Sequence, residues 1–203
     1  MESDQGCPSE VVGLVHGSDG GIAIGPKELA ATGIDVPADA PVVSAQVAGA
    51  QGVFDVELKN VDLPMQLGDT EVTLPVGVGD LVAGIGNIGN GSLSQFVVTF
   101  DWSTKTMSLD PVAANGSFGT AAPTAGSIGW NGTDVVVTKV AKGSPAEQAG
   151  MMLGDVVSTV DGKAVSTRDD FCAVFTGSRP TTIETADGKT YDISVYEDFF
   201  AKP

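Results

Sequence analysis

Apolar residues in this chain come in short runs, many alternating with polar ones and broken by glycine or by Asp-Gly and Asn-Gly pairs. That pattern predicts strands and tight turns rather than long helices. The predicted strands are Val11–Val15, Ile22–Ile24, Val42–Val47, Val53–Leu58, Val61–Leu67, Val72–Val76, Phe96–Phe100, Thr106–Leu109, Val156-Val157, Thr181–Thr185 and Tyr191–Val195. Short helices are predicted at Pro26–Ala31, with Gly33 as the stop, and at Ser92–Gln95. Gly49-Ala50-Gln51-Gly52 reads as the glycine tip of a hairpin, and Trp102-Ser103-Thr104-Lys105 as a second turn.

The densest local signals lie between Gly143 and Val165. Ser144 can cap a helix whose first residue is Pro145, and Glu147 stands where a capping box needs it. Gly150 can take the left-handed conformation that ends that helix. Asp161-Gly162 then predicts a tight turn, with Val165 closing the hairpin. Further on, Thr167 can cap a helix with Asp170 at its third position and Phe171, Val174 and Phe175 on its apolar face.

Val112 to Ala125 is Ala, Gly, Ser, Thr and Pro without periodicity, and reads as a linker. The expected organisation is a mainly β protein with one domain over residues 1–111, a linker over 112–125, a second domain over 126–196 and a tail over 197–203.

Charge narrows the partners. The chain has 203 residues with 26 acidic and 10 basic side chains, a net of −16. Phosphate neutralisation needs clustered Lys and Arg, so nucleic acid is not an expected partner. An anionic membrane surface is disfavoured for the same reason. No apolar run reaches the length of a membrane span. Residues 1–10 are polar and show no basic-then-apolar signal pattern. One histidine and two distant cysteines make no metal site, and no cofactor is expected. Cys7 and Cys172 fall in different predicted domains and read as free thiols. Asn90, Asn115 and Asn131 each open a glycosylation-type triplet, and each also sits in turn chemistry.

The stretch from Gly143 to Val165 resembles a PDZ domain of the kind found in bacterial high-temperature-requirement proteases. The matching residues are Gly143-Ser144-Pro145-Ala146, Ala149-Gly150, Gly154-Asp155-Val156-Val157 and Asp161-Gly162-Lys163. The resemblance implies capture of an extended peptide as an added strand. Its terminal carboxylate would be held by backbone amides in a loop that resembles Ser127-Ile128-Gly129-Trp130. The opposite wall would be the helix carrying Asp170, Phe171 and Val174. The implied partners are protein or peptide C-termini, or unfolded segments.

A second resemblance covers residues 11–111. Ile88-Gly89-Asn90, Leu93, Phe96-Val97-Val98, Asp101-Trp102 and Leu109-Asp110-Pro111 resemble the end of bacterial retropepsin-like aspartyl protease domains. That family implies a closed β domain, a homodimer, an aspartic endopeptidase activity and the Gly49–Gly52 hairpin as a flap. Its chemistry needs two aspartates sharing one proton. Two registers place the motif here. One puts Val15, His16, Gly17, Ser18 and Asp19 on the motif loop, with Val15 at the catalytic position, where no proton can be taken. The other starts at Asp19-Gly20-Gly21 and leaves Asp19 as the catalytic candidate. His16, the chain's one histidine, is either a base or an ordinary loop residue. The alternatives are a peptidase and an inactive protease scaffold that binds peptides. The resemblance implies a periplasmic or secreted protein, with a cytoplasmic one left open.

Overall fold

The computed structural model of the chain describes residues 22–49, 52–67, 70–80, 86–93, 96–112, 124–174 and 180–196. In chain order the elements are β1 (Ile22–Ile24), α1 (Pro26–Ala30), β2 (Val42–Gly49), β3 (Gly52–Leu67), β4 (Thr70–Val78), β5 (Gly86–Ile88), α2 (Asn90–Leu93), β6 (Phe96–Asp101) and β7 (Thr106–Pro111). They continue with β8 (Gly126–Trp130), β9 (Val135–Ala141), α3 (Pro145–Gln148), β10 (Val157–Val160), β11 (Lys163–Ala164), α4 (Arg168–Val174), β12 (Thr182–Thr185) and β13 (Thr190–Asp192). The protein is mainly β, as its apolar pattern predicts.

These elements belong to two units. One comprises the described residues of Gly17–Ala40 and Lys59–Ala121, and the other Pro41–Leu58 with the described residues of Ala122–Phe199. The two units interleave along the chain, and β3 contributes to both.

In the first unit the strand order is β5-β1-β4-β3. β1 runs parallel to β4 and antiparallel to β5. Alternation along β3 and β4 turns Val61, Leu63, Val72, Leu74 and Val76 inward, where they meet Ile22 and Leu29. Pro26 opens α1, and Gly33, at φ +79, follows its end. α2 begins at Asn90, ahead of the predicted Ser92. β6 and β7 pair from Phe96↔Pro111 to Asp101↔Thr106 as a two-stranded sheet.

In the second unit one sheet has the order β3-β2-β9-β8 and the other β11-β10-β12-β13. β9, a nearly unbroken apolar run, is buried at every residue but Lys139. Its Val135, Val137 and Val140 join Met151, Val157, Val160, Phe171, Ile183 and Tyr191 in one core. Full burial of each such side chain contributes roughly 1.5–3 kcal/mol.

The local signals around this core form as predicted. The Ser144 hydroxyl accepts from Glu147 N–H at 3.2 Å, and the Glu147 carboxylate accepts from Gly143 N–H at 2.7 Å. The Thr167 hydroxyl caps α4 by accepting from Asp170 N–H at 3.1 Å. Asp161 and Gly162 take φ +47 and +75 and carry the β10–β11 turn.

Side-chain changes test each unit separately, and Gly86 and Gly33 test the first. Gly86 stands at φ +150, and a Cβ there would lie 2.7 Å from the Ala23 carbonyl oxygen. Backbone cannot retreat cheaply, so Gly86→Ala should cost about 1–3 kcal/mol in urea unfolding. Gly33→Ala, with open space around it, should cost only about 1–2 kcal/mol for its left-handed backbone. A Gly86→Ala protein as stable as the parent would contradict the β1–β5 pairing.

Asp161 tests the second unit. Burial pushes its carboxyl up, but the Thr182 and Thr181 N–H groups, the Thr181 hydroxyl and Lys163 together hold it below its ordinary value. A carboxyl depressed in the folded state adds stability above its unfolded value, about 3.9, and loses it as pH falls through the folded value. Asp161→Asn, which tolerates the positive φ, should lower the melting temperature at neutral pH. The gap to the parent should close below about pH 4. A gap unchanged down to acid pH would show that the carboxylate charge contributes nothing.

Candidate functional site

β8 ends its sheet, with β9 on one side and no strand on the other among the described residues. Its pairing phase follows from the turn. Asn131 N–H donates to the Asp134 carbonyl at 3.0 Å, and Trp130, Gly129 and Ile128 lie opposite Val135, Val136 and Val137. Hydrogen-bonded and non-bonded pairs alternate in an antiparallel ladder. Asn131–Asp134 is a bonded pair, so Gly129–Val136 is the next one. The backbone groups of Ile128 and Trp130 therefore face away from β9. Val137 fits this phase, since its own N–H and C=O go to Asp155 and Gly154.

The exposed edge of β8 lies beside α4, which packs against it. Trp130 on β8 and Val174 on α4 are half-buried, and both pack against the core. Ile128 is 8 % exposed and Phe171 1 %, so both are core residues that support the groove rather than line it. Asp170 is also committed. Its carboxylate accepts from Ser166 N–H, the Ser166 hydroxyl and Thr167 N–H, and the Thr167 and Ser166 groups hold its carboxyl below its ordinary value. All three bonds fall on Oδ2, which fastens the start of α4.

The expected amide loop takes a different form. Ser127, Ile128, Gly129 and Trp130 lie within β8, because β9 gives the stretch a ladder partner. Ala125, just ahead, is tied down as well: its N–H donates to Ser194 O at 2.9 Å, and its carbonyl accepts from Ala141 N–H at 2.8 Å.

Two features escaped the sequence reading. β2 pairs with β9 through Val43↔Ala141 and Ser44↔Val140, and Lys142 N–H donates to Val42 O at 2.7 Å. Residues Gly49 and Gly52, expected at a flap, therefore end β2 and begin β3 in the unit built on β9. Ala50 and Gln51 lie outside the described residues. The second feature is Cys172 on α4, expected as a free thiol but disulfide-bonded. The other cysteine, Cys7, lies outside the described residues. Separation along the chain is no measure of distance in space, which is why sequence alone misjudged this residue.

Val15, His16, Gly17, Ser18 and Asp19 also lie outside the described residues. Among the described residues, every aspartate whose carboxyl clearly shifts goes down: Asp101, Asp161, Asp170, Asp187 and Asp192. Each accepts hydrogen bonds at a turn or cap. Asp101, for example, is held at about 2 by Ser103 and Thr104. No helix among the described residues is long and apolar enough to cross a membrane.

The PDZ domain family profile matches residues 136–185, from within β9 to the end of β12. No curated protein and no solved structure matches the chain. The profile thus covers α3, the β10–β11 hairpin and α4, the helix that packs against β8. The carboxy-terminal part of this chain is a PDZ domain, a peptide-binding module.

Proposed function

We propose that this protein binds extended polypeptide segments by adding them as a strand to β8, in the groove between β8 and α4. The observation that carries this reading is the unpaired edge of β8 beside a half-buried apolar wall of Trp130 and Val174. Strand addition takes its affinity from main-chain hydrogen bonds and its selectivity from pockets for alternate side chains. The backbone groups of Ile128 and Trp130 supply the first, and the apolar wall the second. The order of Gly143–Ala146, Gly154–Val157 and Asp161–Lys163 supports the subtype found in high-temperature-requirement proteases. A disulfide at Cys172 supports an oxidising compartment, periplasmic or extracellular.

The aspartic peptidase reading has less behind it. Its candidate residues, Val15 to Asp19, lie outside the described residues. Binding without proteolysis is the reading we adopt.

The test uses the full chain and overlapping peptides of reduced, carboxymethylated lactalbumin. Several peptides should bind by fluorescence polarisation. Trp130→Pro removes an N–H that makes no bond within the fold, and proline is tolerated on an edge strand. It should weaken binding at least tenfold, about 1.4 kcal/mol, with an unchanged circular dichroism spectrum. Should that variant misfold, N-methylation of alternate peptide amides probes the same ladder on the parent protein. Binding indifferent to both changes, or no binding at all, would remove the β8 groove as the functional site.

A further inference from the structure

The helix that borders the groove carries a covalent bond. Cys172 on α4 is disulfide-bonded, and the chain's other cysteine is Cys7. Resting on the proposed β8 groove, we infer that a Cys7–Cys172 disulfide braces α4 from behind and couples peptide binding to redox state, tight when oxidised and weak when reduced.

α4 is 7 residues long, well short of the about 12–15 that an isolated helix needs. Its hold must come from outside it. Hydrogen bonds fasten its start: the Thr167 hydroxyl accepts from Asp170 N–H, and the Asp170 carboxylate accepts from Ser166 and Thr167 N–H. Phe171, 1 % exposed, roots it in the core. Cys172 comes next, in the half of the helix that carries Val174. A disulfide there fixes the part that the capping bonds do not reach.

Helix geometry gives the direction of the effect. Successive side chains turn by about 100° around the axis. Val174 is two positions beyond Cys172, so the two point to nearly opposite sides, about 160° apart, with Phe171 between them. Val174 shares the groove with Trp130. The disulfide therefore joins α4 on the flank turned away from the groove, where it supports the wall and leaves the peptide path open.

Cys172 is half-buried rather than sealed in, and exchange requires a thiolate to reach one of the two sulfurs. A dithiol reductant supplies the two electrons and two protons. Its thiolate attacks a sulfur, the Cys7–Cys172 bond breaks through a mixed disulfide, both cysteines end as thiols, and the reductant closes to a cyclic disulfide. Affinity and redox state are then linked in both directions. If reduction weakens binding tenfold, bound peptide makes the disulfide harder to reduce by the same factor, about 30 mV.

The experiment uses the full chain and the lactalbumin peptides that bind it, whose carboxymethylated cysteines take no part in exchange. Affinity is read by fluorescence polarisation with and without dithiothreitol, and for Cys7→Ser. Reduction should weaken binding about tenfold with an unchanged circular dichroism spectrum. Cys7→Ser should bind as the reduced parent does and ignore dithiothreitol. Saturating peptide should lower the parent's reduction potential by about 30 mV, a readout that stands even if Cys7→Ser misfolds. Peptide mapping of the oxidised parent should join Cys7 to Cys172. Unchanged affinity on reduction, with binding still lost in Trp130→Pro, would overturn the inference and leave the groove as the site. Tighter binding on reduction would also overturn it, because the amino-terminal segment would then obstruct the groove. A spectrum that collapses on reduction would do the same, since the bond would hold the fold and not the wall. So would a map that links two copies through Cys172. Absence of binding by the oxidised chain, or binding that survives Trp130→Pro and amide N-methylation, would sink both readings.

Discussion

Backbone hydrogen bonds left without a partner are costly, and the carboxy-terminal unit is arranged around how β9 satisfies its own. β8 takes one edge of β9 and β2 takes part of the other, while Val137 reaches across to Gly154 and Asp155. That enclosure lets β9 carry valines on both faces without an exposed polar strip. It also fixes where an unpaired edge can remain. With β2 in place on one side of the sheet, the accessible ladder is that of β8. An open edge is ordinarily a hazard. Here it is short and flanked by α4, a placement that suits capture of a peptide better than pairing with another folded sheet.

The helices flanking this sheet are too short to persist alone, since isolated helices need about 12–15 residues to be even marginal. Their ends are therefore held by side chains. Ser144 and Glu147 fasten α3, and Thr167, Ser166 and Asp170 fasten α4. Cys172 adds a covalent tie on the same helix that borders the groove. Asp161, at the β10–β11 turn, reaches Thr181 and Thr182 and so joins the hairpin to β12. The groove wall is positioned by a handful of acceptor oxygens rather than by helix length.

Those fastenings are what the sequence made legible. A capping box, a glycine stop and an Asp-Gly turn are encoded within a few residues, so Gly143 to Val165 could be read directly. Strand pairing is not encoded that way. Nothing in Val42–Gly49 announces that it pairs with residues 139–141, because an alternating apolar strand fits any edge of matching register. The same ignorance of partners turned a β8 strand into an expected loop at Ser127–Trp130. Boundaries blurred for a related reason. Leu58 and Val61 looked like the ends of separate strands, yet β3 runs unbroken through Lys59-Asn60.

The amino-terminal unit carries a contrast that sharpens the assignment of function to the other. Its β6–β7 hairpin follows the predicted turn at residues 102–105, and Asp101 caps that turn through Ser103 and Thr104. Phe100 and Trp102 stack at 6.0 Å, yet Trp102 is 85 % exposed. Two-stranded sheets of this kind have little stability of their own, and these aromatic rings buttress each other in place of a core. The resemblance to a protease domain rests in part on this same region, where the Asp101 carboxylate is occupied with the turn. In the PDZ unit the apolar residues beside the unpaired backbone are half-buried and held from behind by Ile128 and Phe171. Recognition needs that combination of free hydrogen-bonding groups and a rigid apolar wall, and among the described residues it is met where β8 and α4 run side by side.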